Sequence, residues 1–240
     1  MKKIVVLNGS RRKKGNTTTF IKAILEKLPK EEFLIEYIFP QDFRISLCKG
    51  CGNCFEKANC IINDELSILQ HKILESDLFV IASPVYLHYM TADLKVILDR
   101  CSWWTHTLRL QGKPVIVLST CDSNGHKKVI NALGEIMTYM GGNVIASVNA
   151  SQYPNKLNDF IWVEAIAEKI NERIFKYTSL PLESNDFLEA YFKVLRKNTI
   201  IKDKFLQENN MENEEINYWK KTGMIDFESF HEYLLSKKKE

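Results

Sequence analysis

The sequence predicts an α/β fold built on a five-stranded parallel sheet with helices on both faces. Short apolar runs typical of strands alternate along the chain with stretches whose apolar residues keep helical spacing. The first run, Ile4 to Leu7, is continuously apolar, as expected for a strand buried on both faces. With 240 residues, of which 45% are apolar and 26% charged, the chain can bury a sizeable core.

The predicted elements alternate in order. Strands are predicted at 4–7, 34–39, 78–82, 114–118 and 144–148. Helices are predicted at about 17–28, 64–74, 91–101, 127–139 and 159–175. Asp64 is the expected cap of the second helix, Pro29 ends the first, and Gly141-Gly142 closes the fourth. A sheet of this kind binds ligands outside the carboxyl ends of its strands, which singles out the loops after the first, third and fourth strands.

About 60 residues follow Pro181, and their many aromatic side chains argue against disorder. Phe187, Leu188, Tyr191, Phe192 and Leu195 form one helical stripe, and Asp226 is the expected cap of a further helix carrying Phe227, Phe230 and Leu234. We therefore predict a main domain at 1–178 and a helical extension at 179–240, packed on the domain or on another subunit.

Charge and hydropathy restrict the function classes. A net charge of +3 is too small to indicate nucleic acid or a membrane surface, and the Lys237-Lys238-Lys239 run is interpreted as a solvated tail. No window reaches the roughly 18 apolar residues of a membrane span. The first strand leaves no room for a signal peptide, which predicts a cytoplasmic protein with reduced thiols.

The loop after the first strand combines glycine, basic and hydroxyl residues ahead of a helix. A helix amino terminus offers free N–H groups and a positive dipole end to an anion. Ser10, Asn16, Thr17 and Thr18 add side-chain donors, and Arg12 adds charge that matches a phosphate. The loop matches neither the Walker pattern nor the dinucleotide glycine pattern. We call this loop, residues 9–19, the phosphate loop, because it indicates a monophosphate. An ordinary polar connection with a threonine-rich cap explains it too.

Two further loops provide the rest of the candidate site. The third strand ends in Ser83 followed by Pro84-Val85-Tyr86, where backbone groups past the proline can face the polar edge of a flat heterocycle. Alternatively, Tyr86 simply packs on the next helix. The loop beginning at Ser119-Thr120 could contact this heterocycle or, if the ligand is a flavin, its ribityl chain. Alternatively, it forms only a turn. Together with the phosphate loop, this pattern predicts flavin mononucleotide (FMN).

Cys48, Cys51, Cys54 and Cys60 form a compact motif within a predicted insertion at 40–63. Three cysteines in seven residues resemble the wrapping of a 4Fe–4S cluster, and the fourth could close it. Gly50 and Gly52 allow the tight turns that this requires. Structural zinc, or an empty or oxidised loop, remain alternatives. Disulfides are disfavoured by the predicted compartment.

Four spaced motifs resemble the NADPH-dependent FMN reductase family: Gly-Ser-x-Arg-x-x-Gly-Asn-Thr, Cys-x-x-Cys-x-x-Cys, Ser-Pro-Val-Tyr, and the segment Leu94 to Arg100. Within that family the chain is most similar to the iron–sulfur flavoproteins, over roughly residues 1–175. The resemblance implies a flavodoxin-like sheet of order 2-1-3-4-5 and noncovalently bound FMN. It places the phosphate at Ser10, Arg12, Asn16, Thr17 and Thr18, and the ring near Pro84, Val85 and Tyr86.

The resemblance also implies a homodimer or homotetramer in which a neighbouring subunit helps to cover the flavin. Trp103-Trp104 is interpreted as a dimer-forming or flavin-covering surface, and Cys101 as a packing residue. Arg11 stands where the family often has proline.

The function predicted from these features is that of an FMN-dependent oxidoreductase or electron carrier. With a cluster present, electrons would pass from it to FMN, and no side chain is required as nucleophile or base. The electron donor would be NAD(P)H or a ferredoxin, and the acceptor a small molecule. The alternatives are an NAD(P)H-dependent flavin, quinone or nitro reductase without a cluster, and a flavin- or redox-sensing binding module. A zinc-stabilised scaffold is a more distant third.

Overall fold

A computed structural model describes residues 1–237 and shows one parallel sheet of five strands in the order β2-β1-β3-β4-β5. The last two lysines of the predicted solvated tail lie outside the described residues. The strands are β1 Lys2–Asn8, β2 Phe33–Ile38, β3 Leu78–Pro84, β4 Pro114–Cys121 and β5 Asn143–Ser151. This order is that of a flavodoxin-like sheet and confirms the predicted fold class.

Helices fill the connections between strands and continue beyond the sheet. They are α1 Asn16–Leu25, α2 Cys54–Lys57, α3 Leu66–Leu74, α4 Ala92–Arg100, α5 Trp104–Thr107, α6 His126–Tyr139, α7 Phe160–Ser179, α8 Asp186–Glu208, α9 Glu214–Thr222 and α10 Phe230–Ser236. Short 3₁₀ turns lie at Pro40–Asp42 and Met224–Asp226. None of the helices in the described part of the chain is long and apolar enough to cross a membrane.

Two apolar layers enclose the sheet because successive strand residues point to opposite faces. On one face Ile4 and Val6 of β1 pack with residues of α1 and α7. On the other, Val5 and Leu7 pack with residues of α3, α4 and α6. The three inner strands are almost wholly buried, which accounts for their continuous apolar runs.

The prediction that Trp103-Trp104 forms a subunit-facing or flavin-covering surface is wrong. The two residues are only 3% and 2% exposed and belong to the same core cluster as α4. Their rings meet edge to face with centroids 6.3 Å apart. The chain turns inward after α4, so both indoles fill the layer beneath that helix instead of covering a ligand. Cys101 is buried beside them, in agreement with its predicted packing role.

Two predicted helix caps also differ from the structure. Asp64 accepts a hydrogen bond from the Leu66 N–H, but the residue that precedes α3 is Glu65, and Asp64 pairs with Arg100. Asp226 lies in a 3₁₀ turn; α10 is capped by Ser229, whose hydroxyl accepts from the Glu232 N–H. At α10 the sequence offers two acceptors, Asp226 and Ser229, which could not be ranked from sequence alone.

The C-terminal extension has an apolar core of its own, which includes Phe192, Trp219 and Phe230. Leu108 of the main domain is buried in the same cluster. The Trp219 indole donates to the His106 carbonyl at 2.9 Å. The extension therefore packs on the domain within one chain, while the predicted division at 178/179 stays a prediction; α7 continues to Ser179.

Lys113 lies just before β4 and makes the free energy of unfolding depend on pH in the alkaline range. Its ammonium donates to the Ser76 carbonyl, and burial lowers its pKa to about 8, against the opposing charge of Asp77. A lysine with a depressed pKa costs stability while it must be protonated, and that cost fades as pH rises from about 8 towards the unfolded value.

We therefore expect the wild type to gain about 2 kcal/mol of unfolding free energy relative to Lys113→Met between pH 8 and pH 10. Urea titrations of both proteins across this range give the difference directly. An unchanged difference would mean that the ammonium is solvated in the folded state.

Candidate functional site

The carboxyl ends of the strands surround a cavity of about 230 Å³. Its walls come from the loop after β1, the turn after β3 and the ends of β4 and β5. This is the edge at which open parallel sheets bind ligands. The lining residues are Ser10, Arg12, Gly15, Asn16, Thr17, Pro84, Val85, Tyr86, Thr120, Cys121, Asp122 and Gln152.

Eight of the nine residues predicted to contact FMN line this one cavity. Thr18 does not line it. Its hydroxyl donates to the Arg12 carbonyl at 3.1 Å and accepts from the Asn8 amide at 2.9 Å, which ties the loop to the end of β1. The structure thus brings three separate loops together, while binding itself stays a prediction.

Short-range hydrogen bonds shape the phosphate loop. The Asn8 side chain accepts from the Ser10 N–H, and the Ser10 hydroxyl accepts from the Arg12 N–H, each at 3.1 Å. Gly15 closes the turn so tightly that a Cβ there would meet the Arg12 Cβ at 2.9 Å. The loop is therefore held in shape before any ligand arrives, so that less ordering entropy is lost on binding.

Helix α1 begins in this loop without a side-chain cap. Its N-cap residue, Gly15, has no side-chain acceptor for the first-turn N–H groups, which leaves them available to an anion. Of the neighbouring cations, Arg11 forms a bidentate pair with Asp93 at 2.7 Å and Lys13 pairs with Asp42. Among residues 1–237, Arg12 has no carboxylate within 4.0 Å. This donor set fits a phosphate, and Arg12 is the one cation of this loop that lines the cavity.

Thr120 joins the phosphate loop to the turn after β3. Its hydroxyl lies 2.7 Å from the Thr17 hydroxyl, and its carbonyl accepts from the Val85 N–H at 2.8 Å. Both threonines are buried. Thr120 therefore positions the two predicted halves of the site relative to each other.

The turn after β3 projects into solvent beside the cavity. Tyr86 and Tyr89 exchange backbone hydrogen bonds around Leu87 and His88, both of which have positive φ. Tyr86 is 51% exposed, so it does not simply pack on α4. Gly125, with φ of +81°, lies beneath this turn; a Cβ there would meet the Val85 side chain at 2.7 Å. The phenol ring is free to meet a flat ligand.

The predicted loops did not include Gln152. It lies just beyond β5, which runs to Ser151 and stays paired with β4 up to the Cys121–Ser151 position. The sequence predicted that this strand ends at Val148, yet Ala150 and Ser151 beyond it are buried. Cys121 lines the same cavity, and burial raises the pKa of its thiol, which stays protonated near neutral pH.

The four predicted cluster ligands lie on one segment, which contains the short helix α2. Cys48 and Cys51 are exposed, whereas Cys54 and Cys60 are half-buried. Gly50 and Gly52 both have positive φ, as the tight turns were expected to need. Within residues 1–237, no group of three or more potential ligands is placed to hold a metal ion. Thiolate chemistry suits an iron–sulfur cluster, which these four sulfurs could hold only if the segment closed around it.

A fully buried arginine anchors this segment to α4. Arg100 pairs with Asp64 at 2.8 Å and donates to the Cys60 sulfur at 3.1 Å and the Ser46 carbonyl at 2.7 Å. Burial by itself would raise the pKa of Asp64, but the hydrogen bonds that it accepts from Arg100 and from the Ser46 and Leu66 N–H groups hold it below its usual value. Both ends of the cysteine segment are thus fixed, while its middle is open.

Comparison with known families matches residues 2–155 to the model of the NADPH-dependent FMN reductases. An iron–sulfur flavoprotein of Archaeoglobus fulgidus is 36% identical over 111 residues, covering 46% of this chain and 50% of that protein. Another from the same archaeon is 30% identical over 194 residues, covering 80% and 98%. One from Clostridioides difficile is 26% identical over 226 residues, covering 92% and 99%. The chain thus spans half of the first relative and nearly all of the other two.

Among solved structures, RosB with its bound intermediate 8-demethyl-8-formylriboflavin-5'-phosphate superposes with a TM-score of 0.54. The sequence identity is 19%, over 78% of this chain and 89% of that chain. At this identity the similarity shows a shared fold.

Proposed function

The chain belongs to the NADPH-dependent FMN reductase family and, within it, to the iron–sulfur flavoproteins, and we propose that it binds FMN at the carboxyl edge of its sheet and acts as an oxidoreductase. Membership confirms the predicted family and the predicted class, a flavin-dependent oxidoreductase. Because the first relative is matched over only half its length, the donor, acceptor and partners of the whole protein are part of the proposal.

The observation that carries the proposal is the convergence of three loops on one cavity. Arg12, the Ser10 hydroxyl and the uncapped first turn of α1 would hold the phosphate. Pro84, Val85 and Tyr86 would border the ring, with Thr120 keeping both parts in register. When bound, FMN supplies the exchange of one or two electrons with a donor and an acceptor. The chain's own residues bind and orient it.

The finer proposal concerns the cysteines. We propose that the segment closes on a 4Fe–4S cluster through Cys48, Cys51, Cys54 and Cys60. Two positive-φ glycines between them, an open middle and anchored ends leave the backbone able to wrap a cluster. The relatives' names point the same way. A cluster-free, NAD(P)H-dependent flavin, quinone or nitro reductase is the second candidate, favoured because no three potential ligands within residues 1–237 are placed to hold a metal ion.

The remaining partners belong to the same proposal. NAD(P)H or a ferredoxin would be the donor and a small molecule the acceptor. A homodimer or homotetramer would cover the ring, and the exposed Leu87, Phe160 and Ile161 offer apolar surface for such a contact. The cytoplasm remains the expected compartment.

One experiment tests both the FMN proposal and the cluster proposal. The protein is purified without oxygen, and flavin, iron, acid-labile sulfide and zinc are measured per chain. Near-stoichiometric FMN with iron and sulfide is the expected result. FMN below about a tenth per chain after reconstitution, at micromolar concentrations that a specific site would saturate, would refute the flavin proposal. Flavin without iron would leave the cluster-free reductase. Flavin binding without turnover by any donor would favour the sensing module.

Cys51→Ser is expected to abolish cluster binding while FMN binding stays unchanged. Cys51 is an exposed member of the motif and lies outside the flavin cavity, so only the cluster loses a ligand. Iron, sulfide and flavin contents of the anaerobic variant check this. Asn53→Ser, in the same segment but not a ligand, is the matched control. Loss of flavin together with iron would mean that the segment also builds the flavin pocket.

A further inference from the structure

A second and larger cavity, of about 470 Å³, lies at the opposite, amino edge of the sheet. Ser76 and Asp77 border it just before β3, and Gln111 and Lys113 just before β4. Its volume falls within the range usual for small-molecule sites. The flavin cavity lies at the other ends of the same strands, so this cavity serves neither the flavin nor its immediate reactants.

The C-terminal extension supplies part of its wall. Tyr218 of α9 and Leu182 of the α7–α8 connection line it. The extension approaches the domain closely here: a Cβ at Gly112, whose φ is +76°, would meet the Leu234 side chain at 2.6 Å. The Gln111 amide donates to the Tyr218 hydroxyl at 2.5 Å. The cavity is therefore built between two well-packed units and is not a gap at a loose contact.

The charge on its walls is largely uncompensated. Arg109 and Lys113 both line the cavity, and among residues 1–237 neither has a carboxylate within 4.0 Å. The Nε of Arg109 is buried and has no hydrogen-bond partner within the described structure. The Lys113 ammonium has the neutral Ser76 carbonyl as its acceptor. The Arg109 Nε is thus a buried donor without an acceptor, and Lys113 lacks an anionic partner; an oxyanion in the cavity would compensate both charges.

The one acid on the wall does not balance these cations. The carboxylate of Asp77 accepts from the Lys3 N–H at 2.7 Å and lies beyond ion-pair distance of Lys113. A third cation, Lys237, donates to the Gln111 side chain at the rim. Excess positive charge in a partly enclosed cavity attracts an anion.

The other walls are apolar or aromatic. Leu74, Leu110 and Leu182 line the cavity, and the Arg109 guanidinium lies over the Tyr218 ring, 4.4 Å from its centroid. The stacking holds the guanidinium plane in place and leaves its edge for hydrogen bonds. A lining that combines cations and leucines suits a ligand with an anionic head and an apolar body.

We propose that this amino-edge cavity binds a small organic oxyanion, a phosphate ester or carboxylate attached to a flat apolar group. Arg109 and Lys113 hold the oxyanion, and the leucines hold its body. Since the wall includes Tyr218 and Leu182, the bound anion also ties the extension to the domain.

Calorimetric titration of the FMN-saturated protein tests this with adenosine 5′-monophosphate as the phosphate probe and 1-naphthoate as the carboxylate probe. Adenosine and naphthalene-methanol are the neutral counterparts. We expect one of the charged probes to bind at a single site per chain, about tenfold or more tighter than its neutral counterpart. The tighter of the two identifies the head group. No binding by either charged probe at about 1 mM would overturn the proposal.

Variants locate the site. Arg109→Gln and Lys113→Gln should each weaken the bound probe about tenfold or more. Lys204→Gln, at a side chain that is 80% exposed, should leave it unchanged. Thermal unfolding shows whether each variant is folded, and the two substitutions at different positions guard against failure of one. If Arg12→Gln weakens the probe while the two wall variants do not, the probe occupies the phosphate loop and the proposal fails.

Discussion

Arg100→Met is expected to lower the free energy of unfolding by about 3 to 5 kcal/mol, because it leaves a buried carboxylate without its partner. The Arg100 side chain is wholly buried and that of Asp64 is 9% exposed. The substitution also removes donors to the Cys60 sulfur and to the Ser46 and Ile62 carbonyls. Methionine can fill the space, but it cannot supply any of these hydrogen bonds.

Urea unfolding of the metal-free protein measures the loss. Arg11→Met is the matched control, since Arg11 also forms a bidentate pair, with Asp93, but its side chain is 68% exposed. An exposed pair contributes at most about 1 kcal/mol. Equal losses in the two variants would contradict a special role for the buried pair. The double variant Arg100→Met/Asp64→Leu should recover part of the loss, because no unpaired charge then remains.

This pair also connects stability with the cysteine segment. Arg100 contacts residues on both sides of the motif, Ser46 before it and Cys60 at its end. In Arg100→Met the segment should open more often than the sheet does. Limited proteolysis would then cut within 46–62 before the rest of the chain, whereas Arg11→Met should be cut like the wild type. This outcome would separate a local loosening from global unfolding.

The sheet could be predicted from sequence because its inner strands are buried on both faces. Continuous apolar runs such as Ile4 to Leu7 are required by that burial and are easy to recognise. The end of β5 could not be predicted, because Asn149 and Ser151 are polar and the strand continues here through its pairing with β4. The prediction that Trp103-Trp104 forms an exposed surface was wrong for a related reason, because local sequence does not show which way a chain turns after a helix.

The candidate site also has parts that local sequence predicts and parts that only tertiary packing determines. The phosphate loop and the turn at Pro84 were predictable because their residue types act locally, through hydrogen bonds within the loop and a fixed proline φ. Gln152 enters the cavity only through the position of β5 beside β4. The second cavity was not predicted, since its walls join residues as distant as Asp77 and Tyr218. Contacts set by tertiary packing leave no local signature.

Asn16→Asp is expected to move stability and FMN affinity in opposite directions. Asn16 is the first residue of α1 and lines the cavity. A carboxylate in the first turn of a helix is favourable by about 0.3 to 1 kcal/mol, through the helix dipole. The same negative charge beside a phosphate replaces a donor by a repulsive group, and the loss of one charge-assisted hydrogen bond alone corresponds to about 10- to 100-fold in affinity.

Riboflavin, which has the ring and ribityl chain of FMN but no phosphate, separates the two parts of the site. Fluorescence titration should show FMN binding weakened in Asn16→Asp and riboflavin binding unchanged, with thermal unfolding at or above that of the wild type. Equal weakening of both ligands would mean that the loop supports the ring and not the phosphate. Asn155→Asp, on an exposed turn outside the cavity, changes the net charge equally and should affect neither ligand. Only a charge placed at the start of α1 should discriminate between the two flavins, because only there do the helix terminus and Arg12 converge on one anion.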